Sequence, residues 1–161
     1  MTTIFDPTPS CLSDDELLSS VKTLACAERR ATAQLIAALA ELDRRKLFLG
    51  LGYPSLFNYC TQALHLSEHA AYGRIEAVRA ASRFPVVFSE LADGAVTLTT
   101  ICLLAPLLTA ENHEALLAAA RHKSRRDVEQ LVAATRPKPD APAVVRKLPS
   151  PTRRDSAATQ G

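Results

Sequence analysis

The segment opening at Ser13-Asp14-Asp15-Glu16 constrains this chain more than any other stretch. It is a capping box: the Ser13 oxygen can accept from the backbone N–H of Glu16, whose carboxylate reaches back to Ser13. Leu17, Val21, Leu24, Ala31, Leu35, Ala38 and Leu42 follow at alternating steps of four and three, with Glu28 taking one position of the seam. The spacing predicts one helix running to about Phe48 and stopping at the Gly50/Gly52 pair, since glycine readily adopts the left-handed conformation that ends helices. Such a helix is ~50 Å long at 1.5 Å per residue, more than a small domain is wide. Part of its seam must therefore pack on something else, either another helix pair or a second copy of the chain.

The rest of the chain is also punctuated for helices. Ser55 can cap a short helix through about Leu64, His65-Leu66 makes a turn, and Ser67 caps a helix that ends near Phe84. Pro85 forces that end, because it lacks an N–H and pushes its predecessor out of the α region. It suits the first turn of a further short helix closed by Asp93-Gly94. Thr97 or Thr99 opens a helix bent or interrupted at Pro106, Thr109 caps the next, and Ser124-Arg125-Arg126-Asp127 is a second capping box with Asp in place of Glu. No stretch alternates with period two for long enough to be a strand. The expected fold is all-α: an irregular bundle of six or seven helices over residues 12–136, with a long first helix and a helix-turn-helix-like middle. A flexible N-terminus (1–11) precedes it, and a proline-rich, basic, disordered tail (137–161) follows.

Composition agrees with this organisation. Aromatics are 5 % of the chain and glycines number 5, so alanine and leucine dominate, which favours helices. The net charge is +2, but the tail from Pro137 carries +3, leaving −1 for residues 1–136. The body is thus no electrostatic trap for nucleic acid as a whole. Cys11, Cys26, Cys60 and Cys102 lie far apart with no C-x-x-C pair and read as reduced thiols. The N-terminus has no export signal, and the longest uncharged run is too short to span a bilayer, so a soluble cytoplasmic protein is expected. Membrane partners and small-molecule substrates are not expected.

Chemistry is sparse. His65 and His69 sit four apart but His65 falls in a turn, and no H-E-x-x-H, nucleophile elbow, phosphate-cradling glycine loop or framed carboxylate pair is present. No catalytic residue, metal ligand or cofactor is expected. The segment Ser55–Phe84 has the lengths of a helix-turn-helix. With Ile75 centred on the buried face of its second helix, Ala71, Tyr72, Val78, Arg79 and Ser82 lie beside it. His69, Gly73, Glu76 and Ala80 then face outward, with Arg74 and Arg83 on the flanks. A base-reading helix needs Arg, Lys, Asn or Gln on its outer face, and this one is small or acidic. A core helix is the favoured reading. The run RHKSRR, residues 121–126, falls where one helix ends and another begins, and is the better candidate for phosphate contact.

The chain resembles the N-terminal helical region of a bacterial group of HNH-endonuclease-like proteins. The phrases GYPSLFNYC, LSEHAAY and ARHKS carry the likeness, in that order, over roughly residues 12–149 and ending in VRKLP. In such proteins the metal-dependent nuclease module lies beyond this region, whereas here VRKLP runs into SPTRRDSAATQG. The resemblance implies a non-catalytic, nuclease-associated helical domain, expected to be a truncated product, with no family catalytic residue to carry over.

Two functions remain open. The favoured one is that of a non-catalytic accessory module making weak, non-specific, phosphate-directed DNA contact through Arg121, Lys123, Arg125 and Arg126, with Arg74, Arg79 and Arg83 as further contacts. The other is a protein-interaction module, in which the first helix pairs with a second copy as a homodimer or with another partner. A remnant without activity is the third reading.

Overall fold

The structure is a computed structural model that describes residues 9–135. The sequence expectations for residues 1–8 and for the tail from Pro137 lie outside these residues. Among the described residues the chain is all-α with no strand. After a 3₁₀ turn at Pro9–Cys11 come α1 (Asp14–Arg45), the single turn α2 (Leu47–Gly50) and α3 (Leu56–Asn58), which continues as a π-helical turn at Tyr59–Ala63. Then follow α4 (Glu68–Arg83), α5 (Val86–Ala92), α6 (Leu98–Leu104), α7 (His113–Ala120) and α8 (Arg125–Thr135).

The helix ends follow from local chemistry. Ser13 and Glu16 form the reciprocal capping box, with the Ser13 N–H donating to Glu16 Oε2 at 2.9 Å. Ser55, Ser67 and Thr97 each accept from the backbone N–H three residues on. Thr109 and Asn112 cap reciprocally before α7, and Ser124 and Asp127 do so at the start of α8. α4 stops at Arg83 ahead of Pro85, and α6 stops at Leu104 just short of Pro106.

One boundary differs from the sequence expectation. The first helix ends at Arg45 rather than Phe48, because Lys46 adopts the left-handed conformation (φ 53°) and its N–H closes on the Asp43 and Leu42 carbonyls. The Lys46 ammonium also donates to Asp43 Oδ1 at 2.8 Å, a local tie that offsets part of the strain of a side chain at positive φ. Two further non-glycine residues, His65 and His122, are left-handed at the turns before α4 and α8.

α4 is the central helix. It packs against α1, α3, the π-helical turn, α5 and α6, and it buries Ala71, Ile75, Ala77, Val78, Ala80 and Ala81. Four of those six are alanines, which lets neighbouring backbones approach closely; Cys102 Sγ would lie 3.8 Å from a Cβ built on Gly73. Ile75, Ala71 and Val78 are buried as the sequence implies. Ala80 corrects the expected wheel by being buried, while Tyr72, Arg79 and Ser82 are exposed. The buried arc is turned roughly a quarter turn from Ile75, because small residues, and not only large apolar ones, define where helices touch.

α1 shows a similar rotation. It packs mainly on α5 and α4 through its C-terminal half, where Ala33, Ile36 and Leu39 are buried. The seam read from the sequence lies about a quarter turn away from that face. Its Leu35 and Leu42 are half-buried against the core, while Ala31 and Ala38 are exposed.

Candidate functional site

The seven basic residues singled out from sequence do not converge on one surface. Arg121 is committed to structure. Its guanidinium forms a two-pronged contact with the Glu90 carboxylate of α5, with Nε to Oε2 at 2.9 Å and Nη2 to Oε1. Glu90 is buried and its main-chain carbonyl accepts from Ala95 and Val96, so the pair ties the end of α7 to the α5–α6 loop. The His122 N–H, donating to the Ala95 carbonyl at 2.7 Å, makes a second tie. The hydrogen bond to Glu90 holds the Arg121 guanidinium above its ordinary range.

Arg79 pairs with Glu76 one turn away at 2.6 Å. Arg83 donates to the Leu108 carbonyl at 3.1 Å and lies over the Phe84 ring. With Glu76 and Asp43 these two arginines line one groove beside Ala105 and Pro106. Arg74 lies on another side of α4. It donates to the Ala70 carbonyl, its Nε is buried without a hydrogen-bond partner, and it lines a groove of about 410 Å³ with His69, Thr99, Cys102 and Arg125. Arg125 is itself paired with Glu129 at 2.8 Å.

Lys123 and Arg126 are exposed and enter no ion pair among the described residues. They flank the capped start of α8, where hydrogen bonds from Ser124 hold the Asp127 carboxyl below its usual range. Of the RHKSRR run, then, Arg126 and Lys123 enter no ion pair among the described residues, though the Lys123 charge also acts on Asp127; Arg125 is shared with Glu129 and Arg121 is a buried-carboxylate partner.

The outward face of α4 also differs from expectation. His69 is exposed as expected, but Gly73 and Glu76 are half-buried and Ala80 is buried, and the exposed face also carries Tyr72, Arg79, Ser82 and Arg83, so it is mixed rather than small or acidic. Tyr72 rests on Phe57, the ring centroids 4.8 Å apart.

Among the described residues no group of three or more His, Cys, Asp or Glu is placed to hold a metal, and no helix is long and apolar enough to cross a membrane. The four cysteines are unpaired thiols; burial pushes the Cys60 and Cys102 thiols up.

The feature that sequence only half revealed is the N-terminal third of α1. Leu17, Leu18, Val21 and Leu24 are 37, 61, 56 and 65 % exposed, and Leu12 just before the helix is exposed as well. A helix that exposes leucines over this length carries an apolar face uncovered by any of the described residues, unlike the scattered exposed leucine common on any surface. The signal was present in the overlong seam, but the sequence could not say which end of it lacked a partner.

Comparison of the chain with protein-family models, with curated proteins and with solved structures found no match.

Proposed function

We propose that this chain is a non-catalytic helical interaction module that works in the cytoplasm by docking another helix on the exposed N-terminal face of α1. The observation that carries this reading is the run of exposed leucines and Val21 on α1, beyond the part of that helix which packs on α4 and α5. Its resemblance to the helical region of HNH-endonuclease-like proteins is compatible with an accessory domain that self-associates and equally with one that engages DNA. The nuclease chemistry belongs to a separate module in that group.

A second reading is favoured by Lys123 and Arg126, exposed and outside any ion pair among the described residues at the start of α8. In it the module also touches DNA phosphates without reading sequence, with Arg125 contributing and Arg121, Arg79, Arg83 and Arg74 supporting the scaffold instead of the contact.

Two paired substitutions separate the readings. Val21→Glu with Leu24→Glu is expected to weaken association at least tenfold and leave any salt-dependent DNA titration unchanged. Lys123→Ala with Arg126→Ala is expected to leave association unchanged and to lower the salt slope by roughly 1 to 2 if phosphates are bound. Association that is indifferent to charges at Val21 and Leu24 overturns the interaction reading.

A further inference from the structure

The exposed face of α1 is matched in length and charge by one object already in hand, the same stretch of a second chain. From Asp14 to Ala31 the helix is about 27 Å long. Lys22 follows one turn after Leu18 on the flank of this apolar face, and Glu28 is the first charge on the Leu17–Val21–Leu24 line itself. The small Ser20, Ala25 and Ala27 border that line, so a neighbouring helix can come close.

Charge is distributed unevenly along the same stretch. Asp14, Asp15 and Glu16 make the first turn acidic, and Arg29 and Arg30 make the far end basic. Two copies laid parallel set acid against acid, base against base, and Glu28 against Glu28 on the seam. Laid antiparallel, each acidic turn comes beside the other copy's Arg29-Arg30 end, and the two helix dipoles oppose.

Resting on the docking role given to this face above, we propose that the partner is a second copy of this chain. The two α1 helices pair antiparallel through their N-terminal halves and cross where Val21 of one meets Leu24 of the other. With steps of four and three along the seam, this crossing also sets each Leu17 next to the other copy's Glu28, at the rim, where the carboxylate stays wet. The symmetric contact is self-complementary, as a two-fold interface requires.

The test uses the full chain. Its mass, followed by light scattering over a concentration series, is expected to rise from monomer to dimer. Val21→Glu with Leu24→Glu is expected to weaken dimerisation at least tenfold while far-ultraviolet circular dichroism keeps its helical signal. Orientation is read from spin labels on Cys11, with Cys26 and Cys102 replaced by Ser. The antiparallel pair places the two labels about 35 Å apart at 1.5 Å per residue, and a parallel pair brings them to about 10 Å, the spacing of packed helices.

A short distance overturns the antiparallel arrangement and keeps the docking face. A chain that stays monomeric overturns the second copy, and if its Leu24 becomes accessible only after residues 1–8 or 136–161 are removed, the face belongs to the chain's own end. A dimer that survives both glutamates overturns this proposal and the docking role together.

Discussion

Ile36 and Leu24 are both large aliphatic residues on α1, and they should respond oppositely to truncation. Ile36 is 0 % exposed in the core that α1 shares with α4 and α5, whereas Leu24 is 65 % exposed. Ile36→Ala removes three buried carbons, about 2.4 kcal/mol at ~0.8 kcal/mol each. A cavity that relaxes only in part adds about 1 kcal/mol, for a total near 3.5 kcal/mol. With an unfolding entropy of about 2.1 cal/mol/K per residue over about 127 residues, this corresponds to a fall in Tm of about 13 °C. Leu24→Ala removes little buried surface in the isolated chain, since Leu24 is already mostly exposed, and gains slightly in helix propensity, so its effect is within ~0.5 kcal/mol. Urea unfolding followed by circular dichroism at high dilution, with unchanged m-values, measures both. If Leu24→Ala costs as much as Ile36→Ala in the dilute monomer, the N-terminal third of α1 is packed on the body and the exposed face does not exist. A Leu24→Ala penalty that grows with protein concentration is the signature of association instead.

Three further outcomes follow from local contacts. The Glu41 carboxyl, held at about 2 by hydrogen bonds from Arg44 and then Arg45, should titrate there by side-chain NMR; its stabilisation is full above the unfolded value near ~4.3 and is lost as pH falls through about 2. A Glu41 midpoint at the ordinary value would show that the two arginines do not hold it. Arg121→Ala should lower Tm by stranding the buried Glu90 carboxylate, while Lys123→Ala with Arg126→Ala stays within ~0.5 kcal/mol; equal effects would contradict the structural role of Arg121. Gly94→Ala should cost about 1 kcal/mol or more, because φ is +73° and the new Cβ lies 2.5 Å from Arg29 Nε; adding Arg29→Ala should relieve the collision alone, and a neutral Gly94→Ala would refute the strain.

Helix boundaries were legible where they rest on chemistry local to a few residues. Ser13, Ser67, Thr97 and Ser124 announce starts, and Pro85 and Pro106 announce stops, because a cap or a missing N–H acts within one turn. Lys46 was not legible: a lysine in the left-handed conformation is held by Asp43 three residues back, and nothing marks it as glycine would. The faces of α1 and α4 were legible only to within a quarter turn. An apolar seam records where large residues cluster, and the bundle instead closes over Ala33, Ala71, Ala77 and Ala81. Arg121 looked like part of a phosphate-contacting run because its partner, Glu90, lies 31 residues upstream and is brought to it by the fold alone. The N-terminal part of α1, exposed among the described residues, was legible as an excess of length, which is a property of the whole helix and not of any motif in it.

The alanines at the centre of α4 give this fold a lopsided tolerance for change. Ala71, Ala77 and Ala81 are fully buried, so the space each occupies is set by the approach of neighbouring helices and not by the residue itself. Trimming a leucine elsewhere leaves a hole that the bundle can partly close. A valine or leucine at these alanines has to push whole helices apart, at a cost of typically 1–3 kcal/mol or more for each intrusion. Sequence drift in descendants of this chain should therefore pass freely through its leucines, exchanging them for isoleucine, valine or methionine, and stall at three of its smallest side chains.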